Sequence, residues 1–273
     1  MPGECTSVWP GGLEHFQAWY AAAGLLKIFW AKPLARIQAA LQGPEVCRLE
    51  IVWMVRRKPR PARLWLVQDP AVLTPPAPED PPTLALFPED AHSRLAVAVQ
   101  ARSMVYLWPA RAPAPPGNSR VRVRVLDTWN EADLAAFRQV QRASWGFWIP
   151  PVAGTHRVLL AVLESEPVGL AYWNPKNGNL DFGIHVARPF WRRRIGTRLF
   201  GEALGLTREA GLPYLTVVRV FRSLRQAPGT PPLWGTAADR RALAFYRFLG
   251  PKVRRLVVRL RPPQGSSRSS ASG

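Results

Sequence analysis

The spacing of apolar residues divides the chain into strands and helices. Arg120–Val125 (RVRVRV) alternates with period two, the pattern of a half-exposed strand. Glu131–Ala143 then places Leu134, Phe137 and Val140 at helical spacing, with Asp127 available as a cap. Val158–Leu163 and Val168–Trp173 are apolar runs joined by Glu164–Pro167, which predicts a hairpin. Asn174–Asn179 (NPKNGN) has turn chemistry with an Asn-Gly pair, and Leu180–Val186 is the next strand. From Arg194 to Ala210 the residues Ile195, Leu199, Ala203, Leu206 and Ala210 share one face of a helix. Gly211 followed by Pro213 ends it. Tyr214–Val220 reads as a strand, Asp239–Leu249 as a helix stopped by Gly250, and Val253–Leu260 as a last strand. The order β-α-β-β-β-α-β-α-β predicts a mixed α/β (α+β) sheet rather than a dinucleotide-binding wrap.

Earlier in the chain, Leu13–Leu41 reads as a helix broken at Pro33. Arg48–Val55 and Arg63–Val67 predict a hairpin joined by the basic segment Arg56–Ala62, and Thr83–Phe87 and Arg94–Val99 predict short strands. This strand order bears a likeness to the sterol-carrier-like domains attached to some acetyltransferases. Two proline-rich stretches, Thr74–Pro82 and Pro109–Gly117, interrupt the pattern, because proline fixes φ and removes a donor. The second suggests a boundary, with a smaller α+β domain over 1–110 and a second domain over 118–262. The small, polar tail 263–273 reads as disordered.

Composition adds two facts. An apolar share of 47% is enough for a sizeable core and excludes a chain disordered throughout. The net charge of +19 is concentrated, since residues 1–110 hold 11 basic against 9 acidic residues and the remainder holds 26 against 9. A basic half of this kind suits an anionic partner. Only five of the 37 basic residues are lysine, however, and arginine, proline and tryptophan rise together as codon bias would make them. The charge alone assigns no function. Cys5 and Cys47 form no disulfide framework, and His15, His92, His156 and His185 lack metal-ligand spacing, so no metal is expected. Phe16–Ala31 is too short and too mixed to span a bilayer, and no signal peptide is legible, which points to a cytoplasmic protein without membrane contact.

The chemistry concentrates between Leu180 and Phe200 (LDFGIHVARPFWRRRIGTRLF). A strand turning into a helix N-terminus offers backbone N–H groups and the positive end of a dipole. Arginines there add charge-assisted contacts to phosphate, Gly196 permits a close backbone approach, and Thr197 offers a hydroxyl. Arg192–Leu199 (RRRIGTRL) resembles the acetyl-CoA loop of the GNAT N-acetyltransferases, R/Q-x-x-G-x-G/A. Asp239–Gly250 (DRRALAFYRFLG) resembles their second signature, N-x-x-A-x-x-x-Y-x-x-x-G. One loop glycine is missing: Arg194 or Ile195 stands in its place, depending on the alignment. Asp239 replaces the asparagine and Pro251 the usual phenylalanine.

The resemblance implies a mixed, mostly antiparallel sheet flanked by helices, and an acetyl-CoA-dependent N-acetyltransferase. Backbone groups of Ile184, His185 and Val186 would pair with the pantetheine arm. Arg192, Arg193, Arg194, Ile195, Gly196, Thr197 and Arg198 would hold the pyrophosphate, and Asp239 of the second signature would also bind the cofactor. Tyr246 would return a proton to the CoA thiolate, and Asp181 or His185 would relay one from the acceptor amine. Trp145, Phe147 and Trp148 would line the acceptor pocket or serve as ordinary core, and the loop Phe221–Ala238 would cover the acceptor end or reach a partner. The acceptor would be a small-molecule or peptide amine. The alternative is a non-catalytic protein that binds acetyl-CoA or an acidic partner such as nucleic acid through its basic half; a homodimer is carried as a further possibility.

Overall fold

Neighbouring residues on the central strands serve opposite layers, and this alternation builds the molecule. The computed structural model describes residues 28–30, 46–55, 58–220 and 237–262. Its elements run β1 (Ile28–Trp30), β2 (Val46–Val55), β3 (Lys58–Val67), β4 (Thr83–Pro88), β5 (Val99–Pro109), β6 (Arg122–Leu126) and α1 (Glu131–Trp145). They continue with β7 (Arg157–Leu163), β8 (Glu166–Asn174), β9 (Asn179–Val186), α2 (Ile195–Glu209), β10 (Tyr214–Val220), α3 (Ala237–Phe248) and β11 (Val253–Leu260). Val158 and Leu160 of β7, with Leu170 and Tyr172 of β8, pack against Phe137 and Val140 of α1. The residues between them, Leu159, Ala161, Ala171 and Trp173, pack instead with Ile195, Leu199 and Ala203 of α2 and Leu243 and Tyr246 of α3. Period two on a strand sends successive side chains to opposite faces. Helix α1 therefore covers one face of the sheet, and α2 and α3 cover the other.

All eleven strands form one sheet, in the order β1-β2-β3-β4-β11-β5-β10-β9-β8-β7-β6. Leaving out the edge strand β6, the two halves of this order repeat one pairing pattern in mirror image. Each half contributes a hairpin (β2–β3 and β8–β9), a parallel neighbour (β4 beside β3, β10 beside β9) and a last strand. The last strands are exchanged: β5 lies between β10 and β11, and β11 lies between β4 and β5. Sheet hydrogen bonding is thus continuous across the proline-rich stretch 109–117. The halves differ in what crosses between their parallel strands. Between β3 and β4 there is only a short 3-10 turn, Pro70–Val72, and four successive residues of the pair stay in register. Between β9 and β10 there is the fifteen-residue helix α2.

The expected mixed, mostly antiparallel sheet with flanking helices is what the structure has. Several elements differ from the sequence reading. Ile28–Trp30 is a strand paired to β2 where a helix over Leu13–Leu41 was expected; the rest of that segment lies outside the described residues, as do residues 221–236 and the tail 263–273. Arg94–Val99 is not a strand, because Glu89–Arg94 is a 3-10 turn and β5 begins only at Val99. The central strand β5 has no counterpart in the sequence reading. Its run Met104–Trp108 is buried on both sides, and an unbroken apolar run carries no period by which to type it. Strand β3 starts at Lys58, so most of the expected Arg56–Ala62 connection is strand. Pro59 and Pro61 are tolerated because they lie beyond the end of β4, where β3 has no second neighbour to receive an N–H. Helix α1 is capped by Asn130 rather than Asp127. The Asn130 side chain accepts the Asp133 N–H at 2.9 Å, and Asp133 accepts the Asn130 N–H at 3.2 Å. Asp127 pairs instead with Arg157.

Candidate functional site

Strand β9 runs into α2, and α2 returns as β10 parallel to β9. The two strands are paired at Asn179 and Thr216, and beyond that point no further register pair joins them among the described residues. The sheet opens there toward the carboxyl ends of both strands, the side on which crevices of parallel β-α-β units take ligands. The N-terminus of α2 lies at the same end, reached through the 3-10 turn Arg188–Phe190 and the residues Trp191–Arg194.

That connection holds two non-glycine residues in the left-handed region. Arg194 is the N-cap of α2 with φ 54° and ψ 21°, and Arg192 has φ 63°. A non-glycine residue in this left-handed region costs about 1–2 kcal/mol, so the loop keeps a glycine-type turn without the glycine. Asn118 holds it: its side-chain amide donates to the Arg193 carbonyl at 2.9 Å, and its backbone N–H to the Arg194 carbonyl at 3.3 Å. The side chains of Arg192, Arg193 and Arg194 are exposed, with the Arg193 guanidinium 5.3 Å from the Phe190 ring. Arg198 is exposed as well and reaches Glu202 at 3.5 Å. Ile195, Gly196 and Thr197 are buried. Gly196 also has a packing role. A Cβ there would sit 3.0 Å from Phe245, so the glycine lets α3 pack against the start of α2. The Val186 carbonyl accepts the Trp191 indole N–H at 2.7 Å.

Strand β9 bulges inside the opening. Ala171 faces Ile184 and Tyr172 faces Asp181, which leaves Phe182 and Gly183 as extra residues, both with positive φ (63° and 81°). Bulges of this kind re-aim the strand next to functional sites. Here the bulge presents the Ile184 N–H to Tyr246, whose hydroxyl oxygen accepts it at 2.9 Å. A Cβ on Gly183 would lie 2.6 Å from that oxygen. Tyr246 is buried, with its ring 5.2 Å from Phe245 and 6.2 Å from Trp108. Burial raises its pKa, and the Ile184 bond and the Arg219 charge offset only part of the rise, so the phenol is protonated at neutral pH.

Trp145, at the end of α1, meets the other side of β9. Its ring lies 3.9 Å from that of His185, edge to face. His185 is 1% exposed, and neither of its ring nitrogens has a hydrogen-bond partner among the described residues. Desolvation, aided by the charge of Arg219, pushes its pKa down to about 3, and the backbone of Phe182 offsets little of this, so the ring is neutral. Arg219 of β10 binds Asp239 through Nη2 at 2.6 Å and Nε at 2.9 Å, and its guanidinium lies 6.0 Å from the Trp145 ring. Asp239 is thus tied to Arg219 in the first turn of α3.

Asp181 sits in a closed polar cluster. It accepts from His156 Nε2 at 3.0 Å, Asn174 Nδ2 at 3.1 Å and Asn179 Nδ2 at 2.5 Å. The Val152 N–H donates to His156 Nδ1, which places the imidazole proton on Nε2, toward the carboxylate. Phe147 lies tilted against Trp145 with ring centroids 4.9 Å apart, whereas Trp148 joins the core beneath α1.

The structure therefore brings Ile184, His185 and Tyr246 to one opening, with the exposed arginines on the connection into α2. It binds Asp181 into a cluster of its own. Sequence reasoning missed Asn118, the Phe182–Gly183 bulge, Arg219 and His156. A glycine inside a strand pattern was the available sign of the bulge. The other three are distant in sequence from their partners and left no local signal. Among the described residues there is no group of three or more metal-ligating side chains and no helix long and apolar enough to cross a membrane.

No family model matches the chain, and no curated protein matches its sequence. Among solved structures, a GCN5-related N-acetyltransferase from Kribbella flavida is similar over 94% of this chain and 98% of its own, with 13% identity and a TM-score of 0.45. A GCN5-related N-acetyltransferase from Sphaerobacter thermophilus is similar over 94% and 95%, with 15% identity and a TM-score of 0.43. L-PGS from Bacillus licheniformis is similar over 97% and 95%, with 13% identity and a TM-score of 0.44.

Proposed function

We propose that this protein is a GNAT-type acyltransferase that takes an acetyl group from acetyl-CoA and passes it to an amine. The observation that carries this reading is the joining of three parts at one opening. Strands β9 and β10 part after Asn179 and Thr216, a helix N-terminus with a left-handed entry residue stands at the open end, and the Tyr246 hydroxyl lies against the Ile184 N–H. The exposed Arg192, Arg193 and Arg194, with the backbone N–H groups at the start of α2, suit a pyrophosphate. The bulge and the unpaired edges of β9 and β10 suit an amide-bearing arm that adds to the sheet like a strand.

In the reaction the amine nitrogen attacks the thioester carbonyl carbon, the carbon–sulfur bond breaks, and the departing thiolate takes a proton. Tyr246 supplies that proton, being protonated and held at the opening. We assign neither earlier candidate as the base. Asp181 already accepts from three side chains, and the neutral His185 imidazole binds protons too weakly. The amine then enters in its uncharged form and releases its proton to solvent, and Tyr246 takes one back from solvent, which balances the cycle.

The test is release of free CoA thiol from acetyl-CoA in the presence of primary amines, small and peptidic. Amine-dependent release that is lost in Tyr246→Phe supports the reading. Acetyl-CoA binding without amine-dependent release from any amine would leave a cofactor-binding protein and not an enzyme.

A further inference from the structure

Helix α3 carries Tyr246, and the residues that fix the far end of that helix come from the first half of the chain. Glu89, in the 3-10 turn before β5, is 4% exposed. It accepts a short hydrogen bond from the Tyr106 hydroxyl of β5 and forms an ion pair with Arg247 Nη2 at 2.6 Å. Arg247 Nε also reaches the Tyr106 oxygen and Glu89 Oε1, each at 3.2 Å, and Arg254 adds charge 3.8 Å from the second carboxylate oxygen. Two residues beyond Arg247, the Trp108 indole N–H donates to the Leu249 carbonyl at 2.8 Å, satisfying a group that the helix end would leave open. Trp108 is also the wall against which the Tyr246 ring packs.

Arg247 follows Tyr246 directly in sequence, so anchoring one restricts the other. A charged group this buried is costly unless paired, and the pairing is geometrically strict because the guanidinium donates through two nitrogens. The Tyr106 ring meets Trp108 edge to face at 6.2 Å, which joins the two anchors into one unit.

We propose that Glu89, Tyr106 and Trp108 are positioning residues that hold the Tyr246 hydroxyl against the Ile184 N–H. The exchanged strand β5 thereby gives the first half of the chain a part in the site of the second. This rests on the reading of Tyr246 as the proton donor, but the hydroxyl's position is measurable without turnover.

The experiment uses the full chain labelled with 3-fluorotyrosine, whose five tyrosine signals are assigned by single Tyr→Phe variants. Without any ligand, Glu89→Gln moves the Tyr246 signal and leaves that of Tyr172, which packs in the separate cluster under α1, in place. The Ile184 amide then exchanges with solvent about tenfold faster, a 1.4 kcal/mol loss of local protection. Tyr106→Phe, which removes one hydroxyl and keeps the ring, produces the same two changes more weakly and serves if Glu89→Gln does not fold. If both signals stay put in folded variants, the anchors do not position Tyr246 and the inference fails. Acetyl-CoA added to the wild type is the separate arm: a Tyr246 signal that ignores it overturns the functional reading and leaves the anchoring result standing.

Discussion

Asn179 stands opposite Thr216, and past that pair β9 and β10 separate. Everything assigned to the site depends on that parting. Had the register continued, as it does for four residues between β3 and β4, the unpaired edges would be closed and the halves of the sheet equivalent. The bulge at Phe182 and Gly183 turns β9 within the gap, and Tyr246 occupies part of what is opened.

Arg194→Gly should stabilise the protein. The position has φ 54°, so glycine removes the left-handed penalty of about 1 kcal/mol, less a few tenths for the freer unfolded chain. Thermal unfolding should rise by about 2 °C. The same change at Ser119, which is exposed and does not have positive φ, should give no such gain. An unchanged or lowered midpoint for Arg194→Gly would show that the arginine side chain contributes more than its backbone costs.

Gly183→Ala should displace Tyr246. The new methyl would meet the tyrosine oxygen at 2.6 Å and would also carry a left-handed φ of 81°. The expected loss is about 2 kcal/mol in denaturant unfolding, from strain and an unsatisfied buried N–H. Tyr246→Phe leaves the same N–H without its acceptor, and should lower turnover by at least ~100-fold while leaving acetyl-CoA affinity nearly unchanged. A Tyr246→Phe enzyme with full turnover removes the proton-donor assignment.

The pH dependence of stability should report His185. Its folded pKa of about 3 is below the ordinary 6.5, so between those values the unfolded chain binds a proton that the folded chain refuses. Stability is therefore full above about pH 6.5 and is lost as pH falls toward 3, by up to about 1.4 kcal/mol per unit. Urea unfolding at pH 7 and pH 5 should show this loss in the wild type and a smaller one in His185→Gln. Equal losses in both would mean that His185 is protonated in the folded state.

A chain beginning at residue 118 should not fold alone. Strand β10 pairs with β5 along Tyr214–Val220, and β11 pairs with β5 along Val253–Leu260, so removing β5 leaves both without a shared neighbour. Trp108, Tyr106 and Phe87 would leave the core that holds α3. Near-ultraviolet circular dichroism should show no fixed aromatic packing in the fragment. A native-like spectrum would separate the halves as independent domains.

Much of the second half was legible in its sequence because its elements are short-range. Alternation in Arg120–Val125, the helical face of Ile195, Leu199 and Ala203, and the Asn-Gly turn are all decided by neighbours within one or two turns. The arginine run before α2 was legible too, and the structure adds the left-handed backbone of Arg194. What escaped was set by distance. Strand β5 is typed by burial between β10 and β11, and Asp239 of helix α3 finds its partner Arg219 on strand β10. Asp181 is a buried carboxylate near the site whose three neighbours arrive through the fold, so its proton-relay role was not separable from a packing role in the sequence.

Calorimetric titration of the full chain with acetyl-CoA decides whether the opening between β9 and β10 receives it. The expected result is a single saturable site, weakened when Arg192, Arg193 and Arg194 are replaced together by glutamine, and an affinity for the wild type that falls with added salt. No detectable heat at high ligand concentration, or binding unaffected by the triple replacement, would contradict it.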